Sequence, residues 1–176
     1  MKVLVVVDAQ NDFITGSLGS TEAKNVLPKI VEKIRNFDDF IICTLDTHFG
    51  NYLETQEGRN LPVKHCIREW PGWFLADDIY DVLKFKSWMS VQKRTFGSYF
   101  LPRSIENFML GEQIEEIELV GYVLDICVIS NALMLKAFFP EVKITVDVSC
   151  CAATSPEAFE AAKTILKSCQ IEIRGE

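Results

Sequence analysis

The chain has 176 residues, of which 48% are hydrophobic and 24% charged, with a net charge of −7. That is the composition of an ordinary soluble globular protein, long enough for one domain spanning 1–176 around one hydrophobic core. The acidic balance argues against nucleic acid as the main partner, since phosphate binding needs a basic surface, and suits a small molecule better.

The opening MKVLVVVDAQ places five apolar residues between Lys2 and Asp8. This run is too short for a signal-peptide core or a membrane span, and no later segment reaches spanning length. A cytoplasmic protein with reduced thiols and no membrane partner is expected. KVLVVVD (2–8) reads as a first strand. VLPKIVEKIRNF (26–37) follows as a helix with Val26, Ile30, Ile34 and Phe37 on one face, Pro28 being acceptable in a first helical turn. FIICTLD (40–46) is a second strand. An insertion at about 47–87 then breaks the rhythm; it holds both histidines of the chain, and loops this long are usually functional or mobile.

WMSVQK (88–93) is a weaker strand, EIELVGY (116–122) a strong one, and ICVISNALMLKAFF (126–139) a helix apolar nearly all round, so buried in the subunit or at a contact of a possible homo-oligomer. VKITVDV (142–148) is a further strand. SPEAFEAAKTILKS (155–168) is a helix capped by Ser155 with Pro156 at its first position, and QIEIR (170–174) a weak last strand. The strong strands are nearly continuous in Val and Ile, as strands covered on both faces are. Their alternation with helices predicts an α/β fold, a three-layer α/β/α sandwich with a mostly parallel central sheet of Rossmann-like type.

In such sheets ligands gather at the C-terminal strand ends near the switch in strand order. There stand Asp8, Asp46, Lys93 and, opening the helix after the 116–122 strand, Cys127. A helix N-terminus and a nearby lysine would favour thiolate, and a carboxylate could take the thiol proton, so Asp, Lys and Cys are a plausible nucleophilic set. Taken singly, each has a plainer reading. A lone cysteine on an apolar helix is usually packing, Asp8 could cap a loop, and Lys93 could be a solvated charge. The six cysteines contain no C-x-x-C pair, which removes a four-thiolate zinc site. Asp46, His48 and His65 are a ligand set for Zn²⁺ or Fe²⁺ with open positions, or else a strand end and two surface histidines.

At these residues the chain resembles the isochorismatase-like cysteine hydrolases. VVVDAQNDF (5–13) is similar to their D-x-Q-x-D-F opening and LVGYVLDICV (119–128) to their G-x-x-x-D-x-C-V nucleophile motif. QKRTFGSYF (92–100) is similar to the segment bearing their lysine, and DVSCCAATSPEAFEAA (147–162) to the one after the next strand. The resemblance implies Asp8 as base, Lys93 as its partner and Cys127 as nucleophile. It also implies a cis peptide joining Val123 and Leu124, aiming the N–H groups of Leu124 and Cys127 at the oxyanion. Within the superfamily, Asp46, His48 and the His65 of VKHCIREWPG match the metal ligands of the nicotinamidase (pyrazinamidase) branch. This implies one divalent metal ion, Zn with Fe or Mn as alternatives. The implied reaction is hydrolysis of nicotinamide to nicotinate and ammonia through a cysteine thioester, with Phe13 against the substrate ring.

Three departures stand out. Pro62 occupies the place of a frequent aromatic, so Trp70, Trp73 or Phe96 is left to complete the ring wall. Cys150 and Cys151 replace the usual small residues, and the histidine of the last helix is absent near Phe159 and Glu160. Competing readings are another amide, carbamoyl or isochorismatase-type hydrolase of this fold, which would hold no metal, and a catalytically silent binding module. The lack of G-x-G-x-x-G after the first strand and of a P-loop excludes dinucleotide oxidoreductase and phosphotransferase readings.

Overall fold

Val3 to Val7 are entirely buried because the strand that carries them, β1 (Lys2–Val7), runs through the middle of a six-stranded sheet. A computed structural model describes residues 1–109 and 111–176 of the chain. The other strands are β2 (Phe40–Asp46), β3 (Trp88–Lys93), β4 (Glu116–Gly121), β5 (Lys143–Cys151) and β6 (Glu172–Arg174). Their order is β3-β2-β1-β4-β5-β6, and every pairing is parallel, so the sheet expected to be mostly parallel is wholly so. The helices are α1 (Asn11–Ile14), α2 (Thr21–Arg35), α3 (Gln56–Asn60), α4 (Asp77–Leu83), α5 (Leu101–Met109), α6 (Ile129–Phe138) and α7 (Pro156–Ser168).

Alternation along β1 sorts the core. Val3, Val5 and Val7 face a layer with Leu101 and Ile105 of α5, Leu135 of α6 and Leu166 of α7. Leu4 and Val6 face the opposite layer, with Ile14 of α1, Ile30 and Ile34 of α2, and Ile79 of α4. The chain leaves β1 toward β2 and β3, then returns to β1's other side as β4. The crevice between the C-terminal ends of β1 and β4 is therefore the switch point, and Asp8 and Cys127 flank it.

Several boundaries move from their expected places. The second helix begins five residues before the expected Val26, because Ser20 caps it by accepting from Ala23 N at 3.0 Å. Pro28 consequently lies inside α2 rather than in its first turn, and Phe37 falls beyond the helix end while still packing on the core. The insertion holds α4, and α5 follows β3. Neither was read from the sequence, although Leu101, Ile105 and Met109 have the i, i+4, i+8 spacing of a buried stripe. Ser155 and Pro156 start α7 as expected, the serine accepting from Ala158 N at 3.1 Å. No helix among the described residues is long and apolar enough to cross a membrane.

Candidate active site and metal centre

β2 and β3 pair so that Asp46 and Lys93 are direct neighbours, and β1 pairs with β2 so that Val7 lies beside Thr44. The register therefore brings three strand ends to one point. Lys93 Nζ lies 2.7 Å from Asp8 Oδ2, 3.4 Å from Asp46 Oδ1 and 3.6 Å from Cys127 Sγ. All four residues are buried, with Cys127 only 5% exposed.

Asp8 is held on its other side by Thr44. The threonine hydroxyl donates to Oδ1 at 2.6 Å and accepts from Asp8 N at 3.1 Å. Asp8 adopts a φ of +50°, a left-handed conformation uncommon for a residue other than glycine; surrounding contacts must fix it. Its Oδ2 is the one buried side-chain oxygen among the described residues without a hydrogen bond of ordinary geometry. Burial lifts the Asp8 carboxyl above the usual carboxylate range, with Lys93 opposing and Asp46 reinforcing. Burial works against the Lys93 ammonium, yet Asp8, Cys127 and Asp46 outweigh it and hold the group charged.

Burial likewise pushes the Cys127 thiol well up, against the pull of Lys93. Lys93 favours the thiolate, as expected, but burial outweighs it. Cys127 sits inside a single wide turn, Leu124–Val128, that precedes α6, and exclusion of water dominates there. Asn131, fully buried, anchors that turn: its amide donates to the carbonyls of Cys127 at 2.8 Å and Phe96 at 3.2 Å, and its Oδ1 accepts from Ser98 N at 2.8 Å. Asp125 ties the turn to the connection between β5 and α7 by accepting from Thr154 N at 3.0 Å.

The cis peptide lies one residue earlier than expected, joining Tyr122 and Val123 rather than Val123 and Leu124. Leu124 N is not a free donor either, because it bonds Ala152 O at 2.7 Å. Gly121 precedes this corner with a φ of +126°, and a Cβ there would stand 2.1 Å from Val7 O. Only glycine lets β4 pass β1 that closely.

Beside this cluster lies a second one. His48 Nε2 is 3.0 Å and His65 Nε2 3.3 Å from Asp46 Oδ2, and the same nitrogens are 3.5 and 3.7 Å from Glu57 Oε1. Ligand atoms sharing an ion at roughly 2.0–2.2 Å stand about 3 Å apart, so the donor set fits a divalent metal. His65 Nδ1 lies 2.9 Å from Val63 O, which fixes the ring with Nε2 toward the cluster. Glu57, on α3, was missed in the sequence; an acidic residue in a polar insertion carries no periodic signal. Gln10, the glutamine of the D-x-Q-x-D-F opening, was given no role there: its amide donates to Asp46 O at 2.9 Å and accepts from Asp46 N at 2.7 Å, clamping the strand end.

Phe13 meets His65 edge to face at 5.8 Å between centroids. Of the three aromatics considered for the ring wall, Trp70 and Phe96 are exposed, and Trp73 donates its indole N–H to Thr47 Oγ1 at 2.9 Å. Beside Lys93 opens a cavity of about 340 Å³, lined also by Thr47, Phe49, Ser98, Tyr99 and Phe100.

Residues 2–174 match the isochorismatase domain. The chain belongs to the isochorismatase family. Among the relatives of this isochorismatase-family chain, the nicotinamidase of Saccharomyces cerevisiae is 25% identical over 214 aligned positions, covering 98% of this chain and 99% of the yeast one. The fold is shared with nicotinamidase/pyrazinamidase PncA from Bacillus subtilis, at a TM-score of 0.83 and 23% identity over 98% of both chains. It is shared also with a pyrazinamidase of Pyrococcus horikoshii in complex with zinc, at a TM-score of 0.78 and 24% identity, covering 98% of this chain and 97% of that one. The fold of this isochorismatase-family chain thus recurs in structures of nicotinamidase/pyrazinamidase proteins.

Proposed function

We propose that the protein is a cysteine amidohydrolase that converts nicotinamide to nicotinate and ammonia. The observation that carries this reading is the sharing of Asp46 and Lys93 between two clusters. Lys93 touches both Cys127 and Asp46, and Asp46 also reaches both histidines. A nucleophile and a metal-type donor set therefore stand close enough to act on one small substrate. The yeast relative, matched end to end, is a nicotinamidase, which agrees with this reading.

Asp46, His48 and His65, with Glu57 in reach, would hold one divalent ion, zinc being our assignment because the Pyrococcus neighbour is a zinc complex. When bound, the ion supplies a Lewis acid that orients a pyridine nitrogen and withdraws electron density from the carboxamide. Cys127 Sγ attacks the amide carbon as its proton passes to the Asp8 carboxylate, whose Oδ2 is ion-paired with Lys93 at 2.7 Å. Val123 N–H and Cys127 N–H are the donors we assign to the oxyanion, Val123 replacing Leu124; such donors contribute roughly 3 kcal/mol each. Asp8 then returns the proton to nitrogen, ammonia leaves, and a thioester on Cys127 remains. Water hydrolyses it with Asp8 again as base, a role worth about 10²- to 10⁴-fold in rate. Lys93 keeps Asp8 ionisable in a buried site. Phe13 contributes an apolar face for a planar ring.

A second reading is an amide hydrolase for a substrate lacking the ring nitrogen, which the exposed Pro62 in place of an aromatic wall favours. Ammonia release from nicotinamide by zinc-loaded protein separates the two. We expect turnover that disappears in Cys127→Ala and falls on chelation. A folded, metal-containing protein inert toward nicotinamide but active on aliphatic amides would favour the second reading.

A further inference from the structure

The β3 edge of the sheet carries another cavity, of about 390 Å³, lined by none of the catalytic or metal-type side chains. Trp73, Phe74, Tyr80 and Trp88 surround it, with Asp77 and Ser90 as its polar groups. The aromatic residues form two edge-to-face pairs: Trp73 and Phe74 at 5.3 Å and 70°, Tyr80 and Trp88 at 6.3 Å and 86°. Such pairing leaves ring faces, the negative side of the quadrupole, uncovered by the partner ring. Phe74 and Tyr80 are half exposed, so a large aromatic surface stands open to water. The one charged residue in the lining is acidic, Asp77. The Lys84 ammonium, paired with Asp81 at 2.6 Å, lies 5.2 Å from the Tyr80 ring centroid, an ammonium–ring contact within the chain itself.

We propose that this cavity binds a small organic cation of the methylated-ammonium class, its head among the four rings and its charge toward Asp77. A neutral ring would gain from the apolar lining but nothing from the acid. A plain ammonium or guanidinium would need an acceptor for each of its N–H groups, and the side chains of the lining offer only the Asp77 carboxylate and the Ser90 and Tyr80 hydroxyls. A methylated head presents polarised C–H groups to the ring faces and needs no acceptor. The volume lies at the small end of small-molecule sites, roughly 300–1,000 Å³. Trp73 also links the cavity to the other site: its indole bonds Thr47 and its carbonyl accepts from Gln10 Nε2 at 2.7 Å, the side chain that clamps Asp46.

The test is calorimetric titration of zinc-loaded protein with choline and with 3,3-dimethylbutan-1-ol, its uncharged carbon isostere. The expected result is saturable one-site binding of choline with the alcohol at least tenfold weaker. Choline binding should weaken at least tenfold in Trp88→Ala and in Tyr80→Leu, both checked for folding by circular dichroism, and should persist in Cys127→Ala. Tyr80 is half exposed, so its variant keeps the test decisive if Trp88→Ala does not fold. Equal affinity for the two compounds, absence of saturation, or unaltered binding in the folded aromatic variants would overturn the proposal. Activity on any amide plays no part in the readout, so the result is independent of the proposed reaction.

Discussion

Three charged side chains, Asp8, Lys93 and Asp46, meet where water is nearly excluded, and their order of ionisation decides what Cys127 can do. Asp46 is the one held anionic. Burial disfavours its charge, but Lys93, His48 and His65 outweigh burial and place its carboxyl far below the ordinary range. Asp8 is displaced upward instead, which suits a group that must accept a proton and return it. The two carboxylates thus have separable roles, and variants should separate them. Asp8→Asn is expected to lower turnover by about 10³-fold while zinc content, read by elemental analysis, stays near one per chain. His65→Ala is expected to lose zinc affinity by at least about tenfold, with turnover partly restored at high zinc. Equal loss of metal in both variants would argue against the division. Asp8, Lys93, Cys127, Asp46, His48 and His65 were all legible as motif positions. Glu57 and Asn131 were not, because each acts through a contact that only the fold creates, and Gln10 was legible as the glutamine of the first motif but its role was not.

At the scale of the element, the strong strands declared themselves by continuous runs of Val and Ile, and α7 by its serine cap and first-turn proline. α2 was legible only in part. Its apolar stripe is plain, but the proline was taken to mark the start, whereas the Ser20 cap sets the start a full turn and more upstream. A proline inside a helix removes one backbone bond and crowds the preceding turn. Pro28→Ala is therefore expected to stabilise the protein, by about 1 kcal/mol once the native accommodation of the ring is allowed for, seen as a higher Tm with unchanged turnover. α4 and α5 were hidden by their surroundings: one lies in an insertion dense in Gly, Pro and Trp, the other carries a proline in its second position. The corner before Cys127 could be located by motif but not to the residue. The bond that commits Leu124 N runs to Ala152, far away in sequence.

Across the whole molecule, the acidic chain keeps some carboxylates buried on the sheet and neutralises them from α2 and from β6. Lys33 Nζ lies 2.9 Å from Glu118 and 2.6 Å from Asp147, and Arg174 lies 2.7 Å from Glu116. Burial opposes the Asp147 charge, but the Lys33 and Ser149 hydrogen bonds prevail and lower its carboxyl below the usual range. Burial also opposes the Lys33 charge, and its carboxylate partners prevail to raise it. A lowered carboxylate stabilises the fold above the unfolded carboxyl range and loses that contribution as pH falls through its own value. A raised ammonium contributes fully up to about pH 10 and loses it above. Lys33→Met should accordingly cost about 2 kcal/mol at pH 7, less than a fully buried pair because Lys33 is 25% exposed. The Tm gap to the parent should narrow toward pH 3; a constant gap would mean packing, not charge, is what was lost. Net charge and the α/β alternation were legible at this scale. Strand order was not, since nothing in β1 states that its second neighbour is β4.

That neighbour has a consequence for how the chain comes off the ribosome. Lys2 pairs with Glu116 and Val7 with Gly121, so the first strand made waits for the fourth before its second edge is satisfied. Until then, Val3 to Val7 can pair only with β2, and of the layer that faces Val3, Val5 and Val7 only α5 has been made, α6 and α7 still being to come. Nascent chains stalled before residue 116 should therefore remain protease-sensitive and bind chaperones. Protection should appear abruptly, rather than strand by strand, once β4 has left the exit tunnel.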